Sequence, residues 1–335
     1  DPVAGVRATA VSSATGSATE PATGSVTGSP APRAPVVDGP RRLPPGVTRL
    51  TGGQFGVLLV LPALALFGAV VLYPFVAALV SGFFEQSLIA PGREFVGLAN
   101  YRDVLADDFW SLLRNTLVFA VGATVIPFLL GLVLALALNV GFRGTSVLRG
   151  LFLLPWVVPA VVVSFLWLWI FNANYGLLNG ILVGVGLDSI AWLGRPDTAM
   201  AAVIIAKTWA TFPWMMVMLL AGLQSIPTDL YEAAGVDGAS ALQRFRAITW
   251  PHLRPIAAIV ALLELIWNFQ HFDTIFVLTG GGPAGATRTF SVAVYETAFE
   301  GFDLGRAGAL GGLWVLILSL LVGGYLWISE RRQEG

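Results

Sequence analysis

Long apolar runs, rather than apolar positions spaced every three or four residues, dominate this chain. Six of them, at residues 55–79, 115–139, 150–171, 199–223, 256–278 and 307–328, each exceed the roughly 20 residues a helix needs to cross a bilayer core. They predict an all-α polytopic membrane protein with six transmembrane helices, and an even number of crossings puts both termini on one side. Residues 1–50 are a different material. They are mostly Ala, Thr, Ser, Gly, Pro and Val, with no Leu, Ile, Met or aromatic residue before Leu43. Such a stretch cannot bury enough surface to offset its ordering entropy. A disordered cytoplasmic tail is expected at 1–50 and the membrane domain at 51–335. The tail lacks the basic segment, apolar run and small-residue cleavage pattern of a signal peptide.

Charge sharpens this picture. Only 12% of residues are charged, about half the share in soluble domains, which excludes an ordinary water-soluble globule. The formal charge of -1 offers no basic field for a nucleic acid. With no cysteine and only His252 and His271, thiolate metal sites, disulfides and most catalytic metal centres are excluded, and no cofactor or metal bound by this chain is expected. The first, second, third and sixth runs carry no charge; Lys207 lies in the fourth, Glu264 and Asp273 in the fifth. Twelve Lys or Arg residues fall on the side holding both termini and six on the other. The positive-inside rule therefore predicts cytoplasmic termini. Trp110, Trp192 and Trp327, near span ends, are expected interfacial anchors.

Between the fourth and fifth runs lies a cytoplasmic stretch at 224–254, longer than a simple link needs. Pro227 with Thr228 or Asp229 starts a helix whose formers continue to Gly235, Asp237-Gly238 marks a turn, and a second short helix over 239–248 is expected to end at Pro251. Such a protrusion fits a groove on another protein; an amphipathic pair resting on lipid fits the pattern equally well.

At these residues the chain resembles a family. Glu232-Ala-Ala-Gly235, Asp237-Gly238-Ala239, Phe245, Ile248 and Pro251 are similar to the EAA loop of the permease subunits of binding-protein-dependent ABC importers. Phe95-Val-Gly-Leu-Ala-Asn-Tyr101, Arg149-Gly-Leu-Phe-Leu-Leu-Pro155, Ala221-Gly-Leu-Gln-Ser-Ile-Pro227 and Phe269-Gln-His-Phe-Asp273, running on to Pro283, extend the resemblance to the carbohydrate-uptake branch, with its maltose-type, disaccharide and glycerol-phosphate permeases. The resemblance implies a type I ABC importer permease fold in a bacterial inner (cytoplasmic) membrane. It implies as partners a second homologous permease, two copies of a cytoplasmic ABC ATPase holding ATP and Mg, an extracytoplasmic sugar-binding protein and the lipid bilayer. It also implies that Glu232 contacts a basic group of the ATPase, that Gly238 allows the tight turn, and that Ala233, Ala234, Gly235, Asp237 and Ala239 complete the coupling surface. Trp250 stands where many relatives have Leu.

Ionisable residues inside a membrane are costly enough to mark sites. Glu264, Asn268 and His271 at i, i+4, i+7 share one face of a continuous helix, flanked by Gln270 and Asp273. With Lys207, and with Trp267, Phe269 and Phe272 of the fifth run and Trp209, Phe212 and Trp214 of the fourth as aromatic faces, they form a candidate sugar path, polar groups meeting hydroxyls and aromatic faces meeting the apolar sides of a ring. The same polar groups also suit ordinary interhelical hydrogen bonding, and Lys207 also suits pairing with a carboxylate in the bundle. Gly280-Gly-Gly-Pro-Ala-Gly285 spells GxGxxG, but outside any βαβ unit, and no P-loop lysine motif occurs, so the chain is not expected to be an enzyme or to use ATP itself. Gly305, Gly308 and Gly312 on one face predict close packing against another span or the partner permease. Competing readings are glycerol-phosphate or polyol uptake, an ion-coupled secondary transporter using Glu264 and Asp273, and a membrane enzyme, for which the external Asp107 and Asp108 lack a histidine partner.

Overall fold

A computed structural model describes residues 52–90 and 92–331. The expectation of a disordered tail at 1–50 lies outside the described residues. The chain divides into units 1–60 and 61–335; of the first only 52–60 is described, and it is helical. The account below concerns the second.

Helices carry nearly everything, as the apolar runs require. In chain order they are α1 (Gly52–Phe67), α2 (Tyr73–Ser81), α3 (Ala99–Ala106), α4 (Phe109–Asn139), α5 (Thr145–Val157), α6 (Ala160–Ile170), α7 (Leu177–Gly184), α8 (Pro196–Gln224), α9 (Thr228–Val236), α10 (Ala241–Arg244), α11 (Trp250–Phe269), α12 (Asp273–Thr279), α13 (Phe290–Tyr295) and α14 (Leu304–Arg331). A two-residue hairpin pairs Phe84–Glu85 with Glu94–Phe95. Among the described residues five helices are long and apolar enough to cross a membrane, and six if the bent pair α5–α6 counts as one span.

That bend, of 94°, has a local cause. Proline forces the residue before it out of the helical region, and Val158 ahead of Pro159 is extended at φ -74°, ψ 130°. The third apolar run is therefore broken in its middle.

The fifth run also departs from expectation. It does not stay helical over 256–278: α11 ends at Phe269 and α12 restarts at Asp273. Other elements satisfy the carbonyls freed at this stop. Trp314 Nε1 donates to Phe269 O at 3.2 Å and Ser291 Oγ to His271 O at 2.7 Å, which is what lets a helix end away from water. At the other end the helix does not stop at Pro251. A π-turn at Phe245–Thr249 joins α10 to α11, and a wider turn just before a proline relieves the ring's clash with the carbonyl four residues back. A second π-turn, Gly68–Leu72, stands in the same relation to Pro74.

The core lies where α4 crosses α8. Gly131 makes the approach possible: a Cβ there would sit 2.8 Å from Met215 Cβ and 2.9 Å from Met216 N. Around it Ala135, Leu138, Leu219, Leu223, Leu253 and Ala257 are buried. Gly305, Gly308 and Gly312 of α14 meet Phe84 O, the Ser81 hydroxyl and the Tyr101 ring respectively, so this small-residue face packs against the end of α2, the segment after it and α3 within the same chain.

On the face opposite the 224–254 loop, Arg288 bridges Glu296 at 2.5 Å and Asp108 at 2.9 Å, and Arg306 meets Asp107 at 3.0 Å. Burial disfavours the Arg288 charge, but its hydrogen bonds to the Glu296 and Asp108 carboxylates outweigh that and its pKa is raised. Asp107 and Asp108 are thus tied down rather than facing only solvent. Trp192 is not a free interfacial anchor. It packs against Phe171, and its Nε1 donates to Asn179 Oδ1 at 3.1 Å. Trp110 is 72% exposed, as an anchor would be.

Candidate coupling loop and translocation cleft

The 224–254 loop is built from two helix caps placed back to back. α9 begins after Pro227, with Asp229 in its first turn, where a negative charge suits the helix dipole. It ends in a Schellman motif: Gly238 takes the left-handed region at φ +72°, Gly238 N donates to Gly235 O at 3.1 Å, and Ala239 N to Ala234 O at 2.9 Å. The next residue opens the following helix with a capping box. Gln243 N donates to Ser240 Oγ at 3.4 Å and Ser240 N to Gln243 Oε1 at 2.7 Å. The second helix therefore starts at Ala241 rather than at 239, and the Ser240-x-x-Gln243 pattern, legible in the sequence, marks that start. A hydroxyl bond of 2.9 Å between Tyr231 and Thr249 clasps α9 against the π-turn.

This scaffold leaves the outer face of α9 bare. Glu232, Ala233, Gly235, Val236, Asp237 and Gly238 are exposed, Val236 at 89%, while Ala234 and Ala239 are half-buried. Glu232 and Val236, four residues apart, share one face, so a carboxylate and an apolar knob stand together at the protrusion's edge.

Of the residues expected along a substrate path, the structure brings Lys207, Glu264, Trp214 and Trp267 together and separates the rest. Lys207 Nζ lies 3.7 Å from Glu264 Oε1, the two side chains being 15% and 2% exposed. Both line a cleft of about 240 Å³ with Pro155, Trp156, Val158, Ala160, Ala210, Thr211, Trp214 and Trp267. Trp214 and Trp267 stand 5.2 Å apart between ring centroids, tilted by 58°.

Asn268 does not line this cleft. Its amide donates to Ala123 O at 2.9 Å and to Thr124 Oγ1 at 3.1 Å, fixing α11 to α4, and its Oδ1 is buried without a protein partner. Gln270 is exposed and reaches only back to Ile266 O. His271 leaves the shared face because α11 has already ended; its ring stacks on Phe119 at 5.7 Å and meets Thr274 Oγ1 at 2.9 Å. Trp209 packs edge-on against Trp167 at 6.3 Å. Asp273 is an exposed residue in the first turn of α12.

Trp214, one of the expected aromatic faces, does line the cleft, while two lining residues come from outside the expected set. Thr211 carried no sequence signal. Trp156 arrives through the α5–α6 break, which Pro155 and Pro159 signal: a proline at 159 withdraws the helical donor the Pro155 carbonyl would use, at a point that lines the cleft. The cleft thus joins flat aromatic surface, a hydroxyl and a paired carboxylate, and among its lining residues the only charges are one of each sign.

Comparison with known proteins identifies the family. Residues 127–333 match the family described as binding-protein-dependent transport system inner membrane component. The chain is 39% identical over 283 residues to the trehalose/maltose transport system permease protein MalF of Thermococcus litoralis, covering 84% of this chain and 95% of that protein. It is 34% identical over 278 residues to the sulfoquinovosyl glycerol transport system permease protein SmoG of Agrobacterium fabrum, covering 82% and 90%. In fold it is similar to a chain of a bacterial ABC transporter involved in import of the acidic polysaccharide alginate, with a TM-score of 0.73 at 22% identity over 83% of this chain and 95% of that one.

Proposed function

Because the chain belongs to the family of binding-protein-dependent transport system inner membrane components, we propose that it is the membrane-spanning subunit of an ATP-driven importer and forms part of the path for a sugar. In this reading it sits in a bacterial inner membrane with both termini in the cytoplasm. It pairs with a second homologous permease, receives its sugar from an extracytoplasmic binding protein, and contacts two copies of an ATPase that hold the ATP and Mg. The observation that carries the proposal is the 224–254 loop: a helix held rigid by a Schellman cap, a capping box and the Tyr231–Thr249 clasp, yet presenting Glu232 and Val236 outward. Rigidity lets a push on α9 pass through the π-turn into α11, which carries Glu264 and Trp267 in the cleft. The name of the Thermococcus litoralis relative supports a glycoside as cargo.

Replacing Glu232 tests the coupling. With the assembled transporter in proteoliposomes, Glu232→Ala should cut sugar-stimulated ATP hydrolysis and uptake at least tenfold while the binding protein's affinity for its sugar stays unchanged. Unchanged coupling in Glu232→Ala would remove the docking role.

A further inference from the structure

We propose that the Lys207–Glu264 pair is a charge filter that makes the cleft selective for neutral, hydroxyl-bearing rings over acidic ones. The inference rests on the cleft being part of the sugar path and adds the class of sugar it accepts. Glu264 is 2% exposed, and its Oε1, although 3.7 Å from Lys207 Nζ, has no hydrogen-bond partner within the protein. A buried carboxylate oxygen with free lone pairs is costly to leave unmatched. That oxygen is itself closed off, but Glu264 lines the cleft, so a small turn of the side chain presents the carboxylate to a ligand's hydroxyl donor.

The opposite charge is already engaged. Lys207 is the only cation among the lining residues and Glu264 the only anion, so the pair leaves the cleft without net charge. A uronate or sulfonate entering would meet the Glu264 carboxylate with no free cation to compensate it, and charge interactions are strong where water is scarce. Trp156, Trp214 and Trp267 complete the preference. Trp156 and Trp267 are 54% and 51% exposed, offering flat apolar faces to the C–H side of a pyranose while its hydroxyls turn to Glu264 and Thr211. A cleft of about 240 Å³ lies below the roughly 300–1,000 Å³ of sites for drug-sized ligands, which suits one ring of a short oligosaccharide at a time.

The test measures binding of two disaccharides of similar size, neutral maltose and anionic digalacturonate, to the full-length permease with its subunits in nanodiscs, by saturation-transfer NMR. Wild type should favour maltose. Glu264→Gln leaves Lys207 uncompensated and should shift the preference toward digalacturonate at least tenfold. Lys207→Gln should leave digalacturonate excluded and gain binding of the cationic glucosamine dimer. The double variant Lys207→Gln/Glu264→Gln, neutral again, should return to maltose, which separates charge from shape and serves if either single variant fails to fold. An unchanged maltose-to-digalacturonate ratio in Glu264→Gln, or in the double variant a preference for digalacturonate, overturns the filter while leaving the cleft as a sugar site. If maltose binding survives undiminished in Trp267→Ala, or is absent in wild type, the cleft is not the sugar site and the filter falls with it.

Discussion

Gly238 shows how one residue type can be required by backbone geometry alone. A Cβ at this position would meet nothing within 4 Å, so space is no constraint; the constraint is φ +72°, where a side chain other than Gly costs about 1–2 kcal/mol and Asn costs less. Gly238→Val should therefore disturb the Schellman cap and lower sugar-stimulated ATP hydrolysis severalfold without loss of protein from the membrane, whereas Gly238→Asn should keep most of it; equal activity of the two variants would contradict the cap's role. Asn268 makes a different residue-scale point. In the sequence it reads equally as a substrate ligand and as a tie between helices, and nothing in the fifth run decides the matter. What decides the amide's engagement is the approach of α4, which puts Ala123 O and Thr124 Oγ1 within reach. Interhelical hydrogen bonds in bilayers contribute about 0.5–2 kcal/mol, so Asn268→Leu should lower the melting temperature of the detergent-solubilised protein by a few degrees, read by a thermal-shift assay.

At the scale of elements, the spans were legible because a bilayer imposes length and apolarity on the chain itself. The interruptions were not expected, and they leave a trace in the sequence only where their cause is local. The α5–α6 break follows from Pro159, and the start of α10 from Ser240 and Gln243. The end of α11 was not legible, because no breaker occupies 270–272; the helix stops there because Trp314 of α14 and Ser291 of α13 satisfy the carbonyls it abandons. The expected face of Glu264, Asn268 and His271 assumed a helix that continued, and His271 leaves it for that reason. An abandoned carbonyl without its donor costs about 1–3 kcal/mol. Trp314→Phe, which keeps the ring but not the N–H, should thus lower stability by that amount and increase amide exchange around 268–273, measurable by hydrogen–deuterium exchange mass spectrometry.

For the molecule as a whole, the bent pair decides the topology. Leu98 lies between the first and second apolar runs and Val236 between the fourth and fifth, so α4, α5–α6 and α8 separate them. If α5–α6 crosses the membrane despite its 94° bend, that makes three crossings and the two residues lie on opposite sides. If the pair instead enters and returns on one side, only α4 and α8 cross and the residues lie on the same side. Arginine placement favours the crossing: Arg143 precedes α5 and Arg149 lies near its start, on the arginine-rich side, while the stretch between α6 and α8 carries only Arg195. The chain contains no cysteine, so single-cysteine variants can be read without background, and Leu98 and Val236 are 67% and 89% exposed. A membrane-impermeant maleimide applied to intact spheroplasts should label Leu98→Cys at once and Val236→Cys only after permeabilisation. Labelling of both from outside, or of neither, would make α5–α6 a re-entrant loop. Labelling of Val236→Cys alone would invert the orientation and place the α9 protrusion away from any cytoplasmic ATPase.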